Sequence, residues 1–146
     1  MFHVVGRAPT AGLKRHDGVG GVRVWGEVAD VRPFLAAADL VMVPLEIARG
    51  VQNKVLEAMA MARPVLLTPG AATGIDAVDG HHFAIADTDR ALIARAFDLL
   101  ANRAVADTLG QSARRFVVER MSWSAMFARL PAIVGRALPT GARHAA

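Results

Sequence analysis

The chain has 146 residues, 53% of them hydrophobic, with a formal net charge of +4 and no cysteine. That length suits one domain with a substantial core, and the missing cysteines exclude disulfides, thiol catalysis and thiolate metal sites together. No apolar run approaches the roughly 20 residues that cross a bilayer and no leader-like opening argues for export, so a soluble cytoplasmic protein is expected, with weak adhesion to an anionic membrane surface left open.

Short apolar runs alternate with helical patterns, the signature of an α/β fold in which helices cover both faces of a parallel sheet. In chain order, strands are expected at Phe2–Val5, Val22–Trp25, Leu40–Leu45, Pro64–Thr68 and His82–Ala86. Helices fall between them. Asp30 caps one that holds Val31, Phe34, Leu35 and Ala38, with Pro33 in its first turn, where a missing N–H is harmless. Another opens after Gly50, with Val51, Val55, Leu56 and Met59 at helical spacing on its inward face. Residues 70–80 read as a loop with room for one short helix. Asp87 or Thr88 caps the next helix, which turns Leu92, Ile93, Ala96, Leu99 and Leu100 inward. A further helix runs from about Arg103 to Arg120. The last spans Ser122 to Ala137, with Trp123, Met126, Phe127, Leu130, Ile133 and Val134 as an apolar stripe. No repeat or linker interrupts these elements, so residues 1–146 read as a single domain. Ligands of open parallel sheets sit at the carboxyl ends of the strands, where Gly6, Gly26, Glu46 and Arg49 fall.

Residues 49–68 carry the densest chemical signal. Gly50 opens the backbone, and Gln52, Asn53, Lys54 and Glu57 lie near the exposed start of a helix. Unpaired N–H groups of a first helical turn attract anionic oxygens, Lys54 adds a point charge, and Glu57, one turn in, can accept hydrogen bonds from two neighbouring hydroxyls such as those of a ribose. This is the pattern of a polyphosphate site with a hydroxyl reader, although an ordinary amphipathic helix with a solvated Lys and Glu has the same spacing. Gly6-Arg7-Ala8-Pro9 and Gly26-Glu27-Val28 each follow a strand, where glycine lets backbone approach a ligand and where plain turns also look this way. His81 and His82, adjacent on a strand, point to opposite faces and make no metal site. His3 reads as a core histidine and His16-Asp17 as a loop pair. No Ser, His and Asp set has the context of a nucleophile elbow. Arginines are scattered, Lys14-Arg15 and Arg114-Arg115 are short pairs, and tyrosine is absent, so no nucleic-acid surface is expected.

The run Lys54-Val-Leu-Glu-Ala-Met-Ala, followed by Pro64-Val-Leu-Leu-Thr, resembles the nucleotide-sugar signature of family-4 glycosyltransferases of the GT-B fold, whose second domain carries Glu-Ala-Met-Ala before Pro-Val-Val. Gly26-Glu-Val-Ala-Asp-Val-Arg-Pro-Phe-Leu-Ala-Ala-Ala-Asp-Leu-Val-Met-Val-Pro resembles the loop, helix and strand that precede that signature. Val5-Gly6-Arg7-Ala8-Pro9 is similar to the family's Gly-x-x-Pro loop, and Ser122-Trp123 to the opening of its last helix. The likeness covers nearly all of the chain, and the pattern most resembles that of bacterial sugar transferases linked to exopolysaccharide and exosortase-type systems. Two positions depart from the pattern. Arg49 stands where the family often has a first Glu, eight positions before the second, and Glu46 is too far upstream to replace it. Ala62 occupies a usual Gly position, which would cost roughly 1 kcal/mol if the backbone there is left-handed.

The resemblance implies a Rossmann-like fold, the carboxyl-terminal half of a two-domain enzyme whose acceptor domain would precede Met1. It implies a nucleoside-diphosphate-sugar donor bound through Gly6, Val28, Arg49, Gly50, Val51, Gln52, Asn53, Lys54 and Glu57, with the Val28 backbone at the nucleobase and Glu57 at the ribose. Arg49, a forked donor, and Lys54 would stabilise the departing diphosphate. Retaining transfer of a hexosyl group to a glycan or lipid-linked acceptor follows, with no metal or other cofactor required and this chain inactive alone. The final helix would cross back to the acceptor domain, leaving part of its stripe exposed here. A non-catalytic association module and a GT-B nucleotide-sugar epimerase remain open as alternatives.

Overall fold

The computed structural model describes residues 1–137 and divides into two compact units, Met1–Ala37 and the chain from Ala38 onward. In the first unit β1 (Phe2–Val5) pairs in parallel with β2 (Val22–Gly26), placing Phe2 opposite Val22 and Val4 opposite Val24. Between them lies α1 (Ala11–Lys14), one turn that the residue pattern did not announce; Thr10 starts it by accepting the Leu13 N–H at 3.2 Å. After β2, the Asp30 carboxylate accepts the Arg32 N–H at 2.9 Å, and α2 (Arg32–Ala37) follows with Pro33 in its first turn, as expected. The expected core histidine is a correction. His3 is exposed, and its Nδ1 accepts the indole N–H of Trp25 at 2.9 Å while Phe34 packs edge-on against the indole. A partner for an imidazole came from the neighbouring strand rather than from burial.

In the second unit β3 (Val41–Val43), β4 (Val65–Leu67) and β5 (Ala84–Ile85) form a parallel sheet in the order β3-β4-β5. The strands are parallel throughout, as their apolar character requires, but they hydrogen-bond as two sheets, one in each unit. Val65, Leu66 and Leu67 have no exposed surface, because β4 is paired on both edges and covered on both faces. Burial of such side chains stabilises by about 1.5–3 kcal/mol each. The helices are α3 (Asn53–Ala60), α4 (Pro69–Ala72), α5 (Asp89–Ala101), α6 (Arg103–Phe116) and α7 (Trp123–Ala137). Leu66, Ala84, Ala86, Leu92, Leu99, Ala106 and Leu109 join sheet, α5 and α6 in one core cluster.

Several boundaries and faces differ from the sequence reading. Ile93 and Leu100 are more than half exposed, because α5 points Leu92 and Leu99 into the core and the next position along lies about 100° further round the helix. Thr88, not Asp87, caps α5, accepting the Ala91 N–H at 3.2 Å. The helix expected to reach Arg120 stays α-helical only to Phe116 and widens into a π-helical turn at Val117–Met121. Val51 precedes α3 and is exposed rather than inward. Trp123 and Phe127 stack at 5.8 Å on an exposed part of α7, while the side chains of Met126, Ile133 and Val134 lie outside the described residues.

Candidate functional site

The start of α3 is built by one apolar face and one uncapped end. Val55, Ala58 and Met59 are fully buried and hold the helix to the core, which leaves Lys54 and Glu57, three positions apart, on the exposed side. Gln52 occupies the cap position with extended backbone, yet its side chain turns back so that Nε2 donates to the Gly50 carbonyl at 3.0 Å. No side chain therefore caps the helix. The Val55 N–H bonds the Gln52 carbonyl at 2.9 Å, and the N–H groups of Asn53 and Lys54 have no acceptor among the described residues. These two donors, the positive end of the helix and the Lys54 ammonium make an anion-attracting surface. Gly50, with φ +71°, turns the chain into it, and exposed Arg49 precedes that turn. Arg49, Lys54 and Glu57 form no ion pair with another described residue. All three are open to a ligand.

The far end of α3 explains why its pattern tolerates Ala62. The Arg63 N–H donates to the Ala58 carbonyl at 3.0 Å and the Ala62 N–H to the Met59 carbonyl at 3.0 Å, a Schellman cap that needs a left-handed residue at position 62. Ala62 adopts φ +55°, so the conditional cost foreseen for an Ala here applies. The Arg114 guanidinium donates to the Ala60 carbonyl and satisfies another orphan acceptor. On α6, a Cβ at Gly110 would fall 2.3 Å from the Ala62 carbonyl oxygen, so the cap and α6 pack backbone to backbone.

In the first unit, the Gly6 N–H is already spent on the Gly26 carbonyl at 2.8 Å, so Gly6 offers a ligand its open Cα face rather than a donor. Val28 is half-buried, and its backbone groups have no hydrogen-bond partner among the described residues.

His81 and His82 correct the sequence reading in geometry. They sit in a turn before β5, not on it, and their rings approach to 4.5 Å instead of diverging. His82 Nδ1 accepts the Val78 N–H at 2.9 Å and its ring packs on Phe116 at 4.8 Å. Burial, then the neighbouring His81, Arg115 and Arg120 charges, hold the His82 pKa below the ordinary imidazole value. No group of three metal-ligating side chains occurs among the described residues. No described helix is long and apolar enough to cross a membrane.

Residues 1–102 match the family of group 1 glycosyl transferases. No curated protein matches the chain. Among solved structures the chain is similar to sucrose-phosphate synthase from Thermosynechococcus elongatus, at 22% identity and a TM-score of 0.75 over 92% of this chain and 38% of that one. It is also similar to the HepE protein of Anabaena in complex with UDP, at 16% identity and a TM-score of 0.75 over 92% of this chain and 40% of that one. A third is the C-terminal domain of a group 1 family glycosyl transferase from Francisella tularensis, at 18% identity and a TM-score of 0.66 over 77% of this chain and 60% of that one. At these identities the likeness shows the fold, parallel sheets flanked by helices in the Rossmann-like manner of GT-B glycosyltransferases. The chain spans 38% and 40% of the length of the first two structures.

Proposed function

The chain belongs to the group 1 glycosyl transferases, and from that premise we propose that it is the nucleotide-sugar donor domain, the carboxyl-terminal half, of a retaining enzyme that transfers a hexosyl group to a glycan or lipid-linked acceptor. The observation that carries the reading is the uncapped start of α3, with Lys54 and Glu57 on its exposed side and exposed Arg49 in the loop before it, none of them ion-paired with another described residue. As a glycosidic bond to a diphosphate breaks, negative charge grows on the leaving oxygens. The Asn53 and Lys54 N–H groups, the Lys54 ammonium and the Arg49 fork offset that charge, and electrostatic stabilisation of this kind is usually the largest catalytic contribution. Glu57 exchanges no proton in this scheme. It accepts hydrogen bonds from the ribose hydroxyls and so orients the donor.

Metal is not required in this reading, because fixed cations and helix donors supply the neutralisation. The acceptor is bound by a further domain, and the enzyme works in the cytoplasm at the inner face of a membrane, in exopolysaccharide assembly. UDP, bound in the Anabaena structure, is the natural first probe. Calorimetry should give a dissociation constant for UDP of roughly 10 µM to 1 mM, since a half-open cleft keeps only part of its binding free energy. Uridine should bind more weakly, because the phosphate contacts are lost. Failure to bind UDP or any other nucleoside diphosphate at millimolar ligand would sink the proposal.

A further inference from the structure

The loop between β3 and α3 carries Arg49 and delivers the chain to the uncapped helix start, yet its own residues bury little: Glu46, Ile47, Arg49, Gly50 and Val51 are all exposed. What holds it comes from the segment after β4. The Thr68 hydroxyl donates to the Leu45 carbonyl at 2.5 Å. Thr68 is also the cap residue of α4, and a cap hydroxyl ordinarily accepts an N–H from its own helix. Here it makes no such bond and is committed across the sheet instead.

Two residues further, a Cβ at Gly70 would lie 2.9 Å from both the Leu45 and the Glu46 carbonyl oxygens. Gly70 is not among the residues with positive φ, so its backbone conformation does not demand glycine; only the approach of those two carbonyls does. Further along, Val51 lies against Gly74, where a Cβ would be 3.0 Å from Val51 Cγ2. The segment thus meets the loop near both of its ends.

We propose that Thr68 and Gly70 are positioning residues for the donor loop, fixing Leu45 and Glu46 so that Arg49 and the first N–H groups of α3 face one diphosphate. The assignment rests on the donor reading above. Neither residue touches the ligand. A displacement of about 1 Å at such a support is enough to cost up to two orders of magnitude at a preorganised site. Gly70→Ala places a methyl 2.9 Å from two carbonyl oxygens, too close without a shift, and Thr68→Val removes the bond while keeping the shape.

The test measures amide hydrogen exchange and UDP affinity on the whole chain, for wild type, Gly70→Ala, Thr68→Val and Thr68→Ser. Gly70→Ala should speed exchange of the Leu45, Val55 and Leu56 amides, whose bonds to the Val43 and Gln52 carbonyls flank the loop, leave β4 and α6 protected, and weaken UDP binding about tenfold. Thr68→Val should do the same to a smaller degree, about threefold, and Thr68→Ser, which keeps the hydroxyl, should restore wild-type values. Should Gly70→Ala fail to fold, the Val and Ser pair at position 68 decides. Exchange at Leu45, Val55 and Leu56 that is unchanged by Gly70→Ala or Thr68→Val, or that rises no more there than in the core strands, overturns the positioning role. Absence of UDP binding by the wild type refutes the donor reading instead, and the exchange measurements then judge the loop support by themselves.

Discussion

At the scale of single residues, Glu57 is the sharpest point of the functional reading because it is exposed and forms no ion pair with a described residue. Replacing it by Ala removes nothing the fold uses, and Ala favours the helix. If Glu57 accepts charge-assisted bonds from ribose, Glu57→Ala should cost about 1.5–3 kcal/mol, or roughly 10- to 150-fold in UDP affinity, and should erase any preference for UDP over 2′-deoxy-UDP. Arg49→Ala and Lys54→Ala should weaken both ligands alike and flatten the salt dependence of binding. A folded Glu57→Ala protein that binds UDP as tightly as wild type would return Glu57 to the surface of an ordinary helix. His82 makes a prediction of a different kind. Its folded pKa lies below the ordinary value of about 6.5, chiefly through burial, and protonation would also take the Nδ1 lone pair from the Val78 N–H. The unfolded chain therefore binds this proton more readily. Stability should be fully present above about pH 6.5 and fall as the pH drops toward the folded value. Urea midpoints at pH 7.5 and 5.5 should differ by less in His82→Gln than in wild type; an equal drop in both would remove the role of His82.

The elements show where local pattern and tertiary packing share control. The Arg49 to Thr68 run pointed to the right helix and strand, although the helix starts at Asn53 and leaves Val51 outside it, because its apolar spacing, its glycine and its Pro-Val-Leu-Leu stretch agree with one another. Its weak point is Ala62, a non-glycine in the left-handed region that the Schellman cap requires. Ala62→Gly should therefore raise stability by about 0.5–1 kcal/mol, the relief of left-handed strain less the extra freedom of glycine in the unfolded chain. Chemical denaturation checks this, and a less stable Gly variant would mean that the Ala62 methyl packs against something worth more than the strain. The inward face of α5 was only half legible. Periodicity identified the helix and chose Leu92 and Leu99 correctly, but which flanking apolar residues are covered depends on how far neighbouring elements wrap around it, and Ile93 and Leu100 are left out.

For the molecule as a whole, the chain spans 38% and 40% of the first two structures it resembles, and the proposed reaction needs an acceptor held against the donor. Catalysis by positioning vanishes when one reactant has no site. The isolated chain should thus bind UDP yet show no multiple turnover with UDP-glucose and a panel of glycan or lipid-linked acceptors, and addition of the acceptor domain should restore transfer. Multiple turnover by this chain alone would overturn the two-domain reading.

Local residue pattern is enough to specify the class of fold and the polar helix start of the candidate site. Alternating apolar strands and amphipathic helices admit few architectures, and a glycine followed by Gln52, Asn53, Lys54 and Glu57 at the start of an amphipathic helix carries its polarity in local spacing. Three-dimensional packing is what turns Gln52 back to Gly50 and leaves the helix start open, directs the Thr68 hydroxyl to Leu45 instead of its own helix, and brings His81 and His82 together in a turn. Each of these is a choice among partners of similar hydrogen-bonding or packing strength. Such choices are settled by which groups the fold brings within a few ångströms, and sequence spacing does not encode that distance.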